Sequence, residues 1–163
     1  MKIFSIIGWS GSGKTTLIIR LIENFKAKQM RVIAVKSTHA GYSLQPEAKD
    51  TARFLRAGAD EAYLVAEGEL LRMTRLSAAP DLLAELQSQL RPEDIVLLEG
   101  ICPPGVPVIE VEDPRRKKAM KFAPEKLAAV ISSSDDAGGR PCFHPDEIAA
   151  ISAFMEAYHE KQH

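Results

Sequence analysis

Cysteine, aromatic residues and surplus charge are all scarce in this chain. Its two cysteines are Cys102 and Cys142. They are too few for a disulfide framework and match no zinc-ligand spacing, so each reads as a small hydrophobe. A reducing cytoplasm is the expected setting. The 21 basic residues nearly cancel the 22 acidic ones, which leaves a net charge of −1. That balance gives no electrostatic footprint for nucleic acid or an anionic membrane. Long apolar runs are missing too. The N-terminal run at residues 3–7 is short and leads straight into a glycine loop, so neither a membrane span nor a signal peptide is expected. There are no internal repeats or low-complexity tracts. With 163 residues, 45% of them apolar, the chain is expected to form a single domain over 1–163.

Against these absences stands one dense motif, Gly8-Trp9-Ser10-Gly11-Ser12-Gly13-Lys14-Thr15. It fits G-x-x-x-x-G-K-[ST], the phosphate-binding P-loop. Glycines let the backbone curl until several N–H groups converge on one anion. The loop from Ser10 through Thr16 would hold the phosphates. Lys14 would reach the β- and γ-phosphates, and Thr15 would offer its hydroxyl to Mg²⁺. The context agrees. Residues 3–7 read as a buried strand, and residues 16–25 as a helix with Leu17, Ile18, Leu21, Ile22 and Phe25 on one face. The helix would aim its positive dipole end at the phosphates.

Strand polarity orders the rest. Residues 31–36 form the next strand of a βαβ unit, so the two strands should be parallel. In such sheets ligands sit at the carboxyl ends. Residues 37–48 then read as a loop on the active side, with Lys36, Thr38 and His39 as candidate contacts. Residues 49–57 read as a short helix ended by Gly58, and residues 61–66 and 70–76 as a hairpin. A helix over 80–90 follows. Asp94-Ile95-Val96-Leu97-Leu98-Glu99 ends the central strand, because four apolar residues in a row imply cover on both faces. Glu99 lies at its carboxyl end and Asp94 about 17 Å away, at roughly 3.3 Å per residue. Glu99 is therefore the acid that would hold Mg²⁺ or orient a nucleophile. Residues 108–112 and 127–132 read as further strands, and 145–158 as the last helix. The basic run Arg115-Arg116-Lys117-Lys118 could cover phosphates or form a solvated loop. Asp135, in the loop after the last strand, could read a base or simply form a turn.

Several of these stretches fall in one order: the loop through Thr16, Lys36-Ser37-Thr38-His39, Lys49-Asp50-Thr51, Ala57-Gly58-Ala59 and Leu97-Leu98-Glu99-Gly100. Together they resemble the molybdopterin-guanine dinucleotide biosynthesis protein B family. The resemblance implies an α/β P-loop NTPase, three-layered, with a mainly parallel sheet and helices on both faces. It implies a GTP-binding accessory protein with weak, Mg²⁺-dependent GTPase activity. Such a protein assists a partner nucleotidyltransferase that attaches GMP to molybdopterin to form the guanine dinucleotide. It also implies a homodimer, formed near the hairpin, and it places His39 and Asp50 in the pocket. This sequence departs from the family pattern at Ser37 and Ala40, where histidines are usual, and at Ala48, where glycine is. It has no Asn/Thr-Lys-x-Asp guanine reader, so GTP rather than ATP follows from the resemblance alone. The residues leave open a P-loop small-molecule kinase and a non-catalytic module that senses or delivers nucleotide.

Overall fold

The computed structural model describes residues 2–37, 46–74, 82–87, 89–113, 115, 119–134 and 138–159; the side chains at 46–50, 82, 83 and 87 lie outside that description. The chain divides into two compact units, Met1–Ser37 with Gln89–His163, and Thr38–Ser88.

The first unit is built on a six-stranded sheet. Its strands are β1 (Lys2–Gly8), β2 (Val32–Lys36), β5 (Ile95–Glu99), β6 (Val108–Val111), β7 (Ala129–Ile131) and β8 (Cys142–Phe143). The order is β2-β5-β1-β6-β7-β8, and every pairing is parallel. The four apolar residues of β5 are fully buried between β2 and β1, as an uninterrupted apolar strand requires. Two helices pack against each other beside it, α1 (Lys14–Ala27) and α4 (Ile148–Ala157). Leu17, Ile18, Leu21 and Phe25 of α1 share one core with Phe4, Ile6, Leu97, Ile109, Ile151 and Met155. Each such buried side chain contributes about 1.5–3 kcal/mol. α1 stops because Gln29 takes a left-handed φ of 60°, and the N–H groups of Lys28 and Met30 both donate to Phe25 O. On the opposite face Ile7, Val108 and Val130 meet Leu127, Met120 and Phe122. A single 3-10 turn, Pro124–Lys126, precedes Leu127.

The second unit holds α2 (Pro46–Arg56), the antiparallel hairpin of β3 (Glu61–Ala66) and β4 (Glu69–Thr74), and α3 (Leu82–Gln87). Gly68, at φ 76°, makes the turn between the strands. α2 begins at Pro46, three residues before the helix read from sequence. Proline is suited to the first turn, where its missing N–H costs nothing. β8 was not read from sequence either; two residues carry no periodicity. Among the described residues, no helix is long and apolar enough to cross a membrane.

Asp94 closes the far end of β5. It is fully buried, accepts the Arg91 N–H at 2.8 Å and pairs with Arg31 Nη1. Its carbonyl accepts the Lys2 N–H at 2.9 Å, which ties β1 to β5 at their start. Asp94→Ala is expected to cost about 2 kcal/mol in urea unfolding. That is below the usual cost for a broken buried pair, because Arg31 is half exposed and can be rehydrated. Polyphosphate affinity should stay unchanged. A selective loss of binding would contradict a purely structural Asp94.

Candidate functional site

β1 ends at Gly8, and the chain curls at once into the loop that returns at Lys14. Gly8, Gly11 and Gly13 have φ of 151°, 80° and 93°. Gly8 is the tightest point. A Cβ there would lie 2.4 Å from Val111 O and 2.7 Å from Ser12 Oγ. Only a hydrogen fits between the loop and the end of β6.

A cavity of about 390 Å³ opens over this loop. Ser10, Gly11, Gly13, Lys14, Thr15 and Thr16 line it, together with Lys36 and Glu99. The parallel ladder brings the last two in, since Lys36 pairs with Glu99 across β2 and β5. Thr15 Oγ1 donates to Glu99 Oε1 at 2.8 Å, and Lys36 Nζ donates to the same oxygen at 3.3 Å. Thr15 Oγ1 and Glu99 Oε1 are hard oxygens side by side, the donor type Mg²⁺ takes. Among the described residues no group of three or more His, Cys, Asp or Glu could hold a metal ion. A cation here would complete its shell with phosphate oxygens and water.

Lys14 folds over its own loop and donates to Trp9 O at 2.7 Å. Burial holds its pKa below the ordinary 10.5; Glu99 pulls it up, while Lys121 and Lys36 push it further down. A polyanion bound in the cavity would favour the charged ammonium. Ser12 is buried inside the loop and does not line the cavity; its N–H donates to Trp9 O at 3.1 Å. His39 and Asp135 lie outside the described residues. Asp50 falls within α2, and its side chain lies outside the description.

The sequence reading passed over three residues beside the loop. Glu110 is 1% exposed on β6, and its carboxylate accepts the N–H groups of Lys121 and Phe122 at 2.5 and 3.0 Å. Trp9 Nε1 donates to Ala119 O at 2.7 Å. The Lys121 ammonium stands 4.7 Å from the centre of the Trp9 ring. A signal did exist. A carboxylate inside Val108-Ile109-Glu110-Val111 must find donors to stay buried.

Residues 3–133 match the family described as molybdopterin guanine dinucleotide synthesis protein B, MobB. The chain belongs to the MobB family. Its relatives include the molybdopterin-guanine dinucleotide biosynthesis adapter protein of Haemophilus influenzae, 29% identical across 96% of this chain and 88% of that one. The Escherichia coli protein of the same name is 27% identical, across 86% of this chain and 70% of its own length. A crystal structure of molybdopterin-guanine biosynthesis protein B matches with a TM-score of 0.70 at 27% identity, covering 95% of this chain and 97% of the other. The α/β fold read from the sequence, a mainly parallel sheet with helices, is the fold of these MobB structures.

Two outcomes follow for this MobB chain. Gly8→Ala should lose at least about tenfold in polyphosphate affinity by calorimetry and about 2 kcal/mol in urea unfolding, since neither Val111 O nor the loop backbone can yield cheaply. Second, binding should take up protons at alkaline pH. The free-site Lys14 begins to lose its proton below 10.5, and a bound polyanion favours the ammonium. Affinity should therefore fall as pH rises through that range. Calorimetry in two buffers of different ionisation enthalpy measures the uptake, and Lys14→Met should abolish it.

Proposed function

We propose that this MobB-family protein binds GTP with Mg²⁺ and acts as an accessory protein in molybdenum cofactor maturation. It would assist a partner nucleotidyltransferase in attaching GMP to molybdopterin. The compartment would be the cytoplasm. The observation that carries the nucleotide reading is one cavity holding a glycine-rich loop, Lys14, Thr15, Lys36 and Glu99. The recipient and partner rest on the names of the relatives, which are molybdopterin-guanine dinucleotide biosynthesis adapter proteins.

Each residue has a physical task. The loop N–H groups and the N-terminus of α1 would neutralise phosphate oxygens. Lys14 would leave Trp9 O for the β- and γ-phosphates. Thr15 and Glu99 would hold Mg²⁺, and Lys36 would balance the Glu99 charge. Mg²⁺ held by these oxygens would offset the negative charge that develops on phosphoryl transfer. Hydrolysis by the protein alone should be weak. Among the described residues Glu99 is the one carboxylate on the cavity, and Thr15 and Lys36 already engage it.

The homodimer is part of the same proposal. On the hairpin, Val65 faces Leu70 across the register, and they are 76% and 66% exposed. Tyr63, two residues from Val65, shares that face. A second copy of the chain would cover these side chains. Val65→Glu with Leu70→Glu should turn a dimer into a monomer in sedimentation velocity. A wild-type chain that is monomeric at high concentration would remove the dimer.

For the site, Lys14→Ala should weaken Mg²⁺-GTP binding by about 100-fold in calorimetry. Glu99→Gln should bind within about threefold of wild type, yet release phosphate at least about tenfold more slowly. Phosphate passed to a pterin or nucleoside hydroxyl instead of water would favour a kinase. Binding without turnover, even with the partner transferase present, would sink the GTPase reading. Equal affinity for ATP would sink the guanine preference.

A further inference from the structure

Beside the loop lies a cation that the nucleotide reading does not use. Lys121 follows a segment secured twice. Its own N–H and that of Phe122 bind the buried Glu110 carboxylate, and Ala119 O accepts from Trp9 Nε1. The backbone is fixed while the side chain stays exposed. Among the described residues no carboxylate pairs the Lys121 ammonium. It rests on the face of the Trp9 ring, 4.7 Å from its centre. Arg115, from the same stretch, points a guanidinium nitrogen to within 3.9 Å of where a Gly11 Cβ would stand.

The location tells which phosphate these cations would meet. Lys14 Nζ, the group that reaches the β- and γ-phosphates, sits on Trp9 O. Lys121 is close enough to that nitrogen to push its pKa down. Thr16 and the start of α1 flank the opposite end of the loop. A terminal phosphate met by Lys14 would thus stand toward the Trp9 side of the loop, within reach of Lys121.

We infer that Lys121, parked on Trp9 in the free protein, contacts the terminal phosphate of a bound triphosphate, and that Arg115 supports it, so that this site discriminates triphosphate from diphosphate. This rests on the nucleotide reading of the loop. A cation leaving a half-buried indole face gives up less than a charge-assisted bond to phosphate returns. The exchange is favourable only when a phosphate is present at that end.

Trp9 is the only tryptophan, so its emission reports the exchange directly. Calorimetry with Mg²⁺ would compare a non-hydrolysable GTP analogue and inorganic triphosphate with GDP. Lys121→Gln is expected to weaken both triphosphates by about tenfold and GDP by less than twofold. It should also erase the emission change that triphosphate produces in wild type. Lys121→Arg should restore most of the preference, and Arg115→Gln should lower it by a smaller factor. Lys126→Gln, an exposed lysine away from the loop, should change nothing. Equal losses for triphosphate and diphosphate, or no loss, would overturn the inference and leave the nucleotide site intact. Wild-type protein that binds none of the three would remove both readings.

Discussion

The site depends on the register of one parallel ladder. β1 lies between β5 and β6, with Ile6 opposite Glu99 and Gly8 opposite Val111. Parallel pairing puts all the carboxyl ends at one edge, so the loop after β1, the acid of β5 and the end of β6 must meet. It also makes them interdependent. A slip of one residue between β1 and β5 would turn the Glu99 side chain to the other face of the sheet. Thr15 would then lose its partner. The register is secured at the far end, where Asp94 O accepts the Lys2 N–H and the Asp94 carboxylate pins the turn before β5. Asp94, at the far end, thus helps to set the position of Glu99 at the other.

At the working edge the charges are unbalanced by design of the fold. Lys14, Lys36, Lys121 and Arg115 approach the loop, and among the described residues Glu99 is the acid that answers them there. Lys14 carries the strain, with a pKa held down chiefly by burial and then by its like-charged neighbours. Backbone geometry alone explains a turn. Several cations gathered around a cavity that holds one acid favour an anion there, and that distinguishes this loop from a glycine-rich bend. Glu110 shows the contrasting solution. Its charge is buried but answered by two N–H groups, so it fixes the chain and does not invite a ligand.

Local pattern carried the readable part of this structure. The glycine spacing, the apolar run of β5 and the face of α1 each declare themselves within a dozen residues, and the polarity of a βαβ unit then separates Glu99 from Asp94. Contacts made across long stretches of chain were not readable in this way. Glu110 finds its donors at Lys121 and Phe122, 11 and 12 residues further along the chain. Trp9 appears as a variable position of the motif, yet its indole anchors Ala119 and carries Lys121. β8 exists because β7 offers an open edge, not because Cys142-Phe143 shows a strand pattern. Pro46 falls in the stretch that reads as a loop, yet it begins α2.

The two acids that bound β5 show why residue type alone assigns no role. Both carboxylates are largely shielded from water, at 0% and 12% exposure. Asp94 is matched on its own edge by an arginine and a backbone N–H. Its charge is consumed in holding the chain. Glu99 is matched by the Thr15 hydroxyl and an exposed ammonium, both bordering a cavity. Those partners can be exchanged for a cation at little cost, whereas the backbone partner of Asp94 cannot be exchanged without unpairing the strand. The capacity for chemistry lies in that difference. It is set by which end of a parallel strand each acid occupies, before any ligand arrives.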